Sequence, residues 1–218
     1  MQLRHLQRLL QGLYNIQVEL KVDDFLLTDP ELVAQLDTSF QARQCEEKLL
    51  VLEEDGQLNL SLFINSVVLE RLSADNPCTT LHDANLADFC TALEGVSHFL
   101  YLTHRALQDR PVTLLELELQ AEVDKYVSVH AIVTAQGAAL APRVLLRRLF
   151  QDVRYDEQLA VTELLRYGHA NDYASHYCHH LETSFLGLQS PDALHQEIRI
   201  FYELNKQEKI RRIDAAKC

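Results

Sequence analysis

Glycine and proline are scarce in this chain, with six glycines and five prolines in 218 residues. Average usage of about 12 % for the two together would supply roughly 26. No two glycines stand closer than 19 positions. A dinucleotide-binding fingerprint needs three glycines within about six residues, and a phosphate-cradling loop needs two ahead of a Lys-Ser/Thr turn. Both are excluded, as are collagen-like and Gly/Ser-linker architectures. Long apolar runs are also missing. None approaches the roughly 18–20 residues of a membrane span, so no membrane partner is expected. Basic residues are outnumbered 20 to 32, giving a net charge of −12. A general nucleic-acid binder needs clustered cations to neutralise phosphates, so that class is excluded too. The five cysteines (Cys45, Cys78, Cys90, Cys178 and Cys218) are odd in number and contain no C-x-x-C pair. They read as free thiols of a cytoplasmic protein. No G-x-S-x-G nucleophile elbow occurs.

What is present is a helix-rich α+β pattern. Leu3, Leu6, Leu9 and Leu10 share one face of a helix over 2–11, with Gly12 as its C-terminal cap and no signal-peptide character. Ile16, Val18, Leu20 and Val22 alternate with polar residues, which predicts a strand. Asp29-Pro30 opens a short helix to about Asp37. Residues 48–53 and 58–64 flank Asp55-Gly56, the signature of a hairpin with a tight primed turn. Residues 86–94 fit a helix face through Phe89, Cys90 and Leu93 or a further strand between turn-like flanks, and are taken as a strand, followed after Gly95 by a helix over 96–107.

Thr113 and Glu116 form a capping box for a helix to about Val133. Helices are then expected over 143–152, 156–167, 170–183, 191–204 and 206–214, with Gly168 as a cap between the second and third. The expected organisation is an α+β front (1–94) with a small antiparallel sheet and a helical back (95–218) on a shared core.

Three constellations are candidates for chemistry, each beside a plain structural reading as a capped and solvated charged face, a polar helix shoulder, or internal ion pairing. Glu94, Gly95, Ser97 and His98 are expected at a strand–helix junction, where free amides favour ligands. With Glu118 and Glu122, one turn apart on the next helix and countered by Lys125, they compose a His/carboxylate site suited to acid/base or metal-assisted work. His169, His176 and His180 fall on one face of a helix, where the i, i+4 pair reaches a single cation. Tyr177 stands where a zincin motif requires Glu. Arg143 and Arg147, with Arg148 and Arg154, offer a basic stretch to an acidic group or a phosphate. The basic tail Lys206, Lys209, Arg211 and Arg212 reads in the same way.

Two functions follow as expectations. The first is a non-catalytic interaction or regulatory protein without a cofactor, working through a protein partner or a homo-oligomer. The second is a His/carboxylate enzyme, such as a hydrolase dependent on a divalent metal.

Overall fold

The computed structural model describes residues 2–37, 45–137, 142–153, 155, 159–186 and 190–216, and of 142 and 143 the backbone only. Arg154, Gly187, Cys218 and the side chain of Arg143 lie outside the described residues.

Helix α1 (Leu3–Tyr14) buries Leu3, Leu6, Leu10 and Tyr14 in one stripe. It runs through Gly12 and ends at Asn15, whose left-handed backbone (φ 54°) returns its N–H to Gln11 O. The expected strand over 16–22 does not form. Ile16, Val18 and Val22 are buried as the alternation demands, while Leu20 is exposed. Side-chain amides of α1, however, take the place of a ladder. Gln7 donates to Leu20 O (2.7 Å) and accepts from Val22 N (3.0 Å), and Gln11 donates to Val18 O (3.3 Å).

A 3-10 turn (Val22–Phe25) then leads into the two-residue strand β1 (Leu26–Leu27), followed by α2 (Pro30–Leu36), which Asp29 caps. Strands β2 (Glu47–Glu54) and β3 (Gln57–Ile64) form the hairpin. Asp55 (φ 51°) and Gly56 (φ 73°) supply the two left-handed residues its turn requires. Strand β1 pairs in parallel with β3, so the three-stranded sheet is mixed rather than purely antiparallel, in the order β1-β3-β2. At its base Leu62 and Ile64 join the main core, while Phe63 packs on the other side with Val33 of α2.

After α3 (Ser66–Ala74), a single helix α4 spans Asp83–Ala106. Residues 86–94 are therefore helical, and Gly95 is mid-helix rather than at a junction. Phe89, Ala92, Leu93, Val96, Phe99 and Leu100 make one unbroken buried stripe at helical period. The turn-like residue ahead of it is the helix start, since Asn85 Oδ1 accepts from His82 N at 2.9 Å. Helix α5 (Leu114–Ala135) begins at Thr113, whose hydroxyl accepts from Glu116 N (3.3 Å). Glu116 does not complete the box, because its carboxylate is engaged by buried Arg105 (3.2 Å) and Tyr101 (2.7 Å).

Helix α6 (Pro142–Leu146) continues as a π-helical turn (Arg147–Gln151). Helix α7 (Val161–Leu181) runs straight through Gly168, so the two helices expected there are one. It too passes into a π-helical turn (Glu182–Leu186) before α8 (Pro191–Glu203) and α9 (Lys206–Ala215). Asn205 and Glu208 cap α9 reciprocally, at 3.1 and 2.9 Å.

Contacts that pair 94 with 125, 98 with 118 and 105 with 116 show α4 and α5 running antiparallel through the centre. The hairpin and α3 pack on α4, and α7 packs on α5. Helix α8 closes the bundle through the stacked rings Tyr14–Tyr202 (4.1 Å) and Tyr177–Phe201 (3.8 Å). The main core takes residues from Leu3 to Ile213, and position 94/95 falls inside α4. Among the described residues, no helix is long and apolar enough to cross a membrane.

Candidate metal centre

Helical spacing sets Glu94 and His98 one turn apart on α4, and Glu118, Glu122 and Lys125 on one side of α5. The antiparallel pairing brings these faces together, and two further elements close the site. Helix α7 contributes Arg166, and β2 contributes its first residue, Glu47. Glu94, His98 and Glu118 each offer a ligand atom, and these atoms lie within 4.8 Å of one another. Lys125 Nζ bridges Glu94 (2.7 Å) and Glu122 (2.9 Å), while Arg166 reaches Glu118 at 3.3 Å. His98 Nε2 faces Glu118 Oε2 at 3.4 Å and its Nδ1 faces Glu47 Oε1 at 3.6 Å. Both are ion-pair contacts without hydrogen-bond geometry, so buried His98 Nε2 and Glu47 Oε1 have no hydrogen-bond partner.

The side chains of His98, Glu118 and Glu47 are only 10–12 % exposed, so their charges act in a poorly screened environment. Burial works to depress the pKa of His98, but Glu118 and Glu47 outweigh it and hold the imidazole well above its ordinary range. Burial raises Glu47, with His98 opposing. At Glu94 burial is overcome by Lys125, and the net shift is downward. Burial lifts the neighbouring Cys90 thiol to about 12, which keeps it protonated and unreactive. Four carboxylates face two permanent cations here. Two negative charges are left over when His98 is neutral and all four carboxylates are ionised, and burial at Glu47 and Glu122 works against that full ionisation.

The other expected site residues are placed elsewhere. Ser97 donates to Asp124 in a separate buried network with Tyr14 and Gln120. Gly95 exposes no free amide. Its bare Cα lets the hairpin lie against α4. His169 and His176 are exposed on α7. His176 Nδ1 bonds the backbone oxygen of Asp172 (2.7 Å), and His180 Nδ1 meets Ser184 (3.1 Å). Among the described residues those three histidines form no group with ligand atoms in mutual reach. Arg147 is exposed, 3.8 Å from Asp152. Lys209 is not a tail cation. It is fully buried, donating to Gln120 with its ammonium 4.3 Å from the Tyr101 ring centroid.

Sequence reasoning missed Glu47 and Arg166. Glu47 stands at a strand end 47 residues before Glu94, and Arg166 stands on a helix with no motif of its own. Only packing carries them in, and no local signal could have found them. Comparison with protein-family models, with curated proteins and with solved structures finds no match to this chain.

Proposed function

We propose that Glu94, His98 and Glu118 bind a divalent cation, and that the protein is a metal-dependent enzyme of hydrolytic type. The observation that carries this reading is the unpartnered, buried His98 Nε2 beside two carboxylates within ligand distance of one another. An imidazole and two carboxylates suit borderline and hard cations such as Zn²⁺ or Mn²⁺. Three protein ligands leave a position for water, whose pKa the cation lowers. Charge supports the same reading. With all four carboxylates ionised, a single divalent cation balances the two surplus negative charges, whereas a proton on His98 leaves one uncompensated. Since the imidazole must bind as the neutral base, cation uptake releases that proton, and affinity falls with acidification.

Metal analysis of protein purified without a histidine tag, followed by titration with Zn²⁺ and Mn²⁺, tests the reading. About one equivalent bound, abolished in His98→Ala and Glu118→Gln, is expected. Less than about a tenth of an equivalent, with no affinity for added cation, overturns it.

A second reading, a protein partner or a homo-oligomer, rests on the hairpin. Val51 and Leu52 of β2, an edge strand of the sheet, and Leu58 of β3 are 49, 59 and 37 % exposed, and an apolar edge strand left open invites pairing with another chain. Monomeric sedimentation with no crosslinked partner in extracts overturns this one.

A further inference from the structure

We propose that Glu47 is the positioning carboxylate of this centre. Facing His98 Nδ1 at 3.6 Å, it accepts that N–H when Nε2 takes the cation, and it thereby links hairpin docking to cation binding. The inference rests on the cation reading above and adds a residue and a coupling to it.

The two ring nitrogens of His98 face different carboxylates, Nε2 toward Glu118 and Nδ1 toward Glu47. A histidine that binds a metal through one nitrogen commonly donates the other N–H to a carboxylate, which fixes tautomer and ring orientation. Glu47 is placed for that role and for no other visible one. Glu94, Glu122 and Glu118 are each held by Lys125 or Arg166. Among the described residues, no lysine or arginine pairs with Glu47, and its Oε1 is buried without a hydrogen-bond partner. The donor it faces is His98 Nδ1.

Gly95 explains how a strand residue gets there. A Cβ on Gly95 would stand 2.8 Å from Glu47 Cγ, 2.8 Å from Leu62 Cδ1 and 3.0 Å from Glu47 Oε1. The missing side chain is the space through which the Glu47 carboxylate reaches His98, one turn further along α4. Glu47 is also the first residue of β2 and pairs with Ile64 at the end of β3. Its carboxylate therefore arrives only when the base of the hairpin is seated on α4. Whatever seating the hairpin does for cation affinity, the cation does in return for seating.

The test uses the full chain and Zn²⁺ in two measurements. In calorimetric titration, Glu47→Gln is expected to bind about 10–100-fold more weakly than the wild type with unchanged helical circular dichroism. Gly95→Ala, which keeps the carboxylate but fills its path, is expected to weaken binding in the same direction. Glu53→Gln, on the same strand but at the exposed end, serves as the control and is expected to bind as the wild type does. In hydrogen exchange of the wild type, which depends on no variant, Zn²⁺ is expected to slow the amides of 47–50 and 61–64. Hairpin exchange unmoved by bound Zn²⁺, or Glu47→Gln binding within about twofold of the wild type, overturns the inference and leaves the cation centre standing. A wild type that binds no Zn²⁺ overturns both.

Discussion

Lys209 offers the sharpest quantitative test of this fold. Its amine is fully buried beneath the rings of Tyr101 and Phe201, and desolvation depresses its pKa to about 7 against attraction from Glu116 and Asp124. In the unfolded chain the same amine titrates near 10.5. Between those values the unfolded state binds the extra proton, so stability must rise with pH. Below about 7 both states are protonated and the whole penalty is present. Each pH unit across the window is worth at most ~1.4 kcal/mol. Allowing for half-protonation at the lower edge, the step from pH 7 to 9 gains roughly 2 kcal/mol.

Lys209→Met keeps the apolar volume and removes the charge. It strands Gln120 Oε1, at a cost of about 1–3 kcal/mol, and it relieves a desolvation penalty of similar or greater size. Urea unfolding of both proteins at pH 6, 7, 8 and 9 reads the difference. The expected outcome is a variant at least as stable as the wild type at pH 6 whose advantage falls by roughly 2 kcal/mol between pH 7 and 9. Cysteine and tyrosine titrations are common to both proteins and cancel in the comparison. Two stability profiles that stay parallel from pH 6 to 9 would refute the burial of a titrating amine here.

Two further outcomes follow from backbone and pairing. Gly168 lies inside α7 with nothing within 4 Å of an added Cβ, so Gly168→Ala should stabilise by about 1 kcal/mol in thermal melts. A capping glycine with a left-handed backbone would instead lose stability on the same change. Glu116 accepts from Arg105, Tyr101 and Lys206 N, with Arg105 wholly buried. Glu116→Gln should therefore cost about 3 kcal/mol in denaturant unfolding, because it leaves the buried guanidinium with only the half-exposed Glu203 carboxylate, 3.8 Å away, as a counter-ion.

How much of this was legible beforehand varies by element. The hairpin was legible because Asp55-Gly56 demands two left-handed residues in succession, a constraint local to the turn. The caps at Asp29 and Thr113 were legible for the same reason, since a side chain satisfies its own helix's free amides. Residues 16–22 misled, because alternation reports which side chains are buried and not where backbone groups find partners. There Gln7 and Gln11 took the role of a neighbouring strand. Gly12, Gly95 and Gly168 misled in a related way. Glycine at a helix end and glycine within a helix look alike until the stripe on either side is seen to be continuous.

Half of the centre was legible. Glu118 with Glu122 stands out because helical spacing puts the pair on one face, with Lys125 as counter-ion, whereas Glu94 and His98 stand out for an expected strand–helix junction and share a face only because Asp83–Ala106 is one helix. The sequence by itself determined the Glu118/Glu122/Lys125 face, the helix-rich α+β class, the hairpin and the absence of phosphate loops, all of which depend on spacing along the chain. Tertiary structure alone decided that the two faces meet, that Arg166 and Glu47 complete the charge balance, and that Lys209 is buried rather than solvated. These depend on which helices cross and at what distance. That is set by the fit of the whole apolar stripe, from Leu3 to Ile213, and not by any local stretch of residues. Gly95 shows the division most plainly. Its rarity in this chain marked the position, but only the hairpin lying across it revealed that the missing side chain makes room for Glu47.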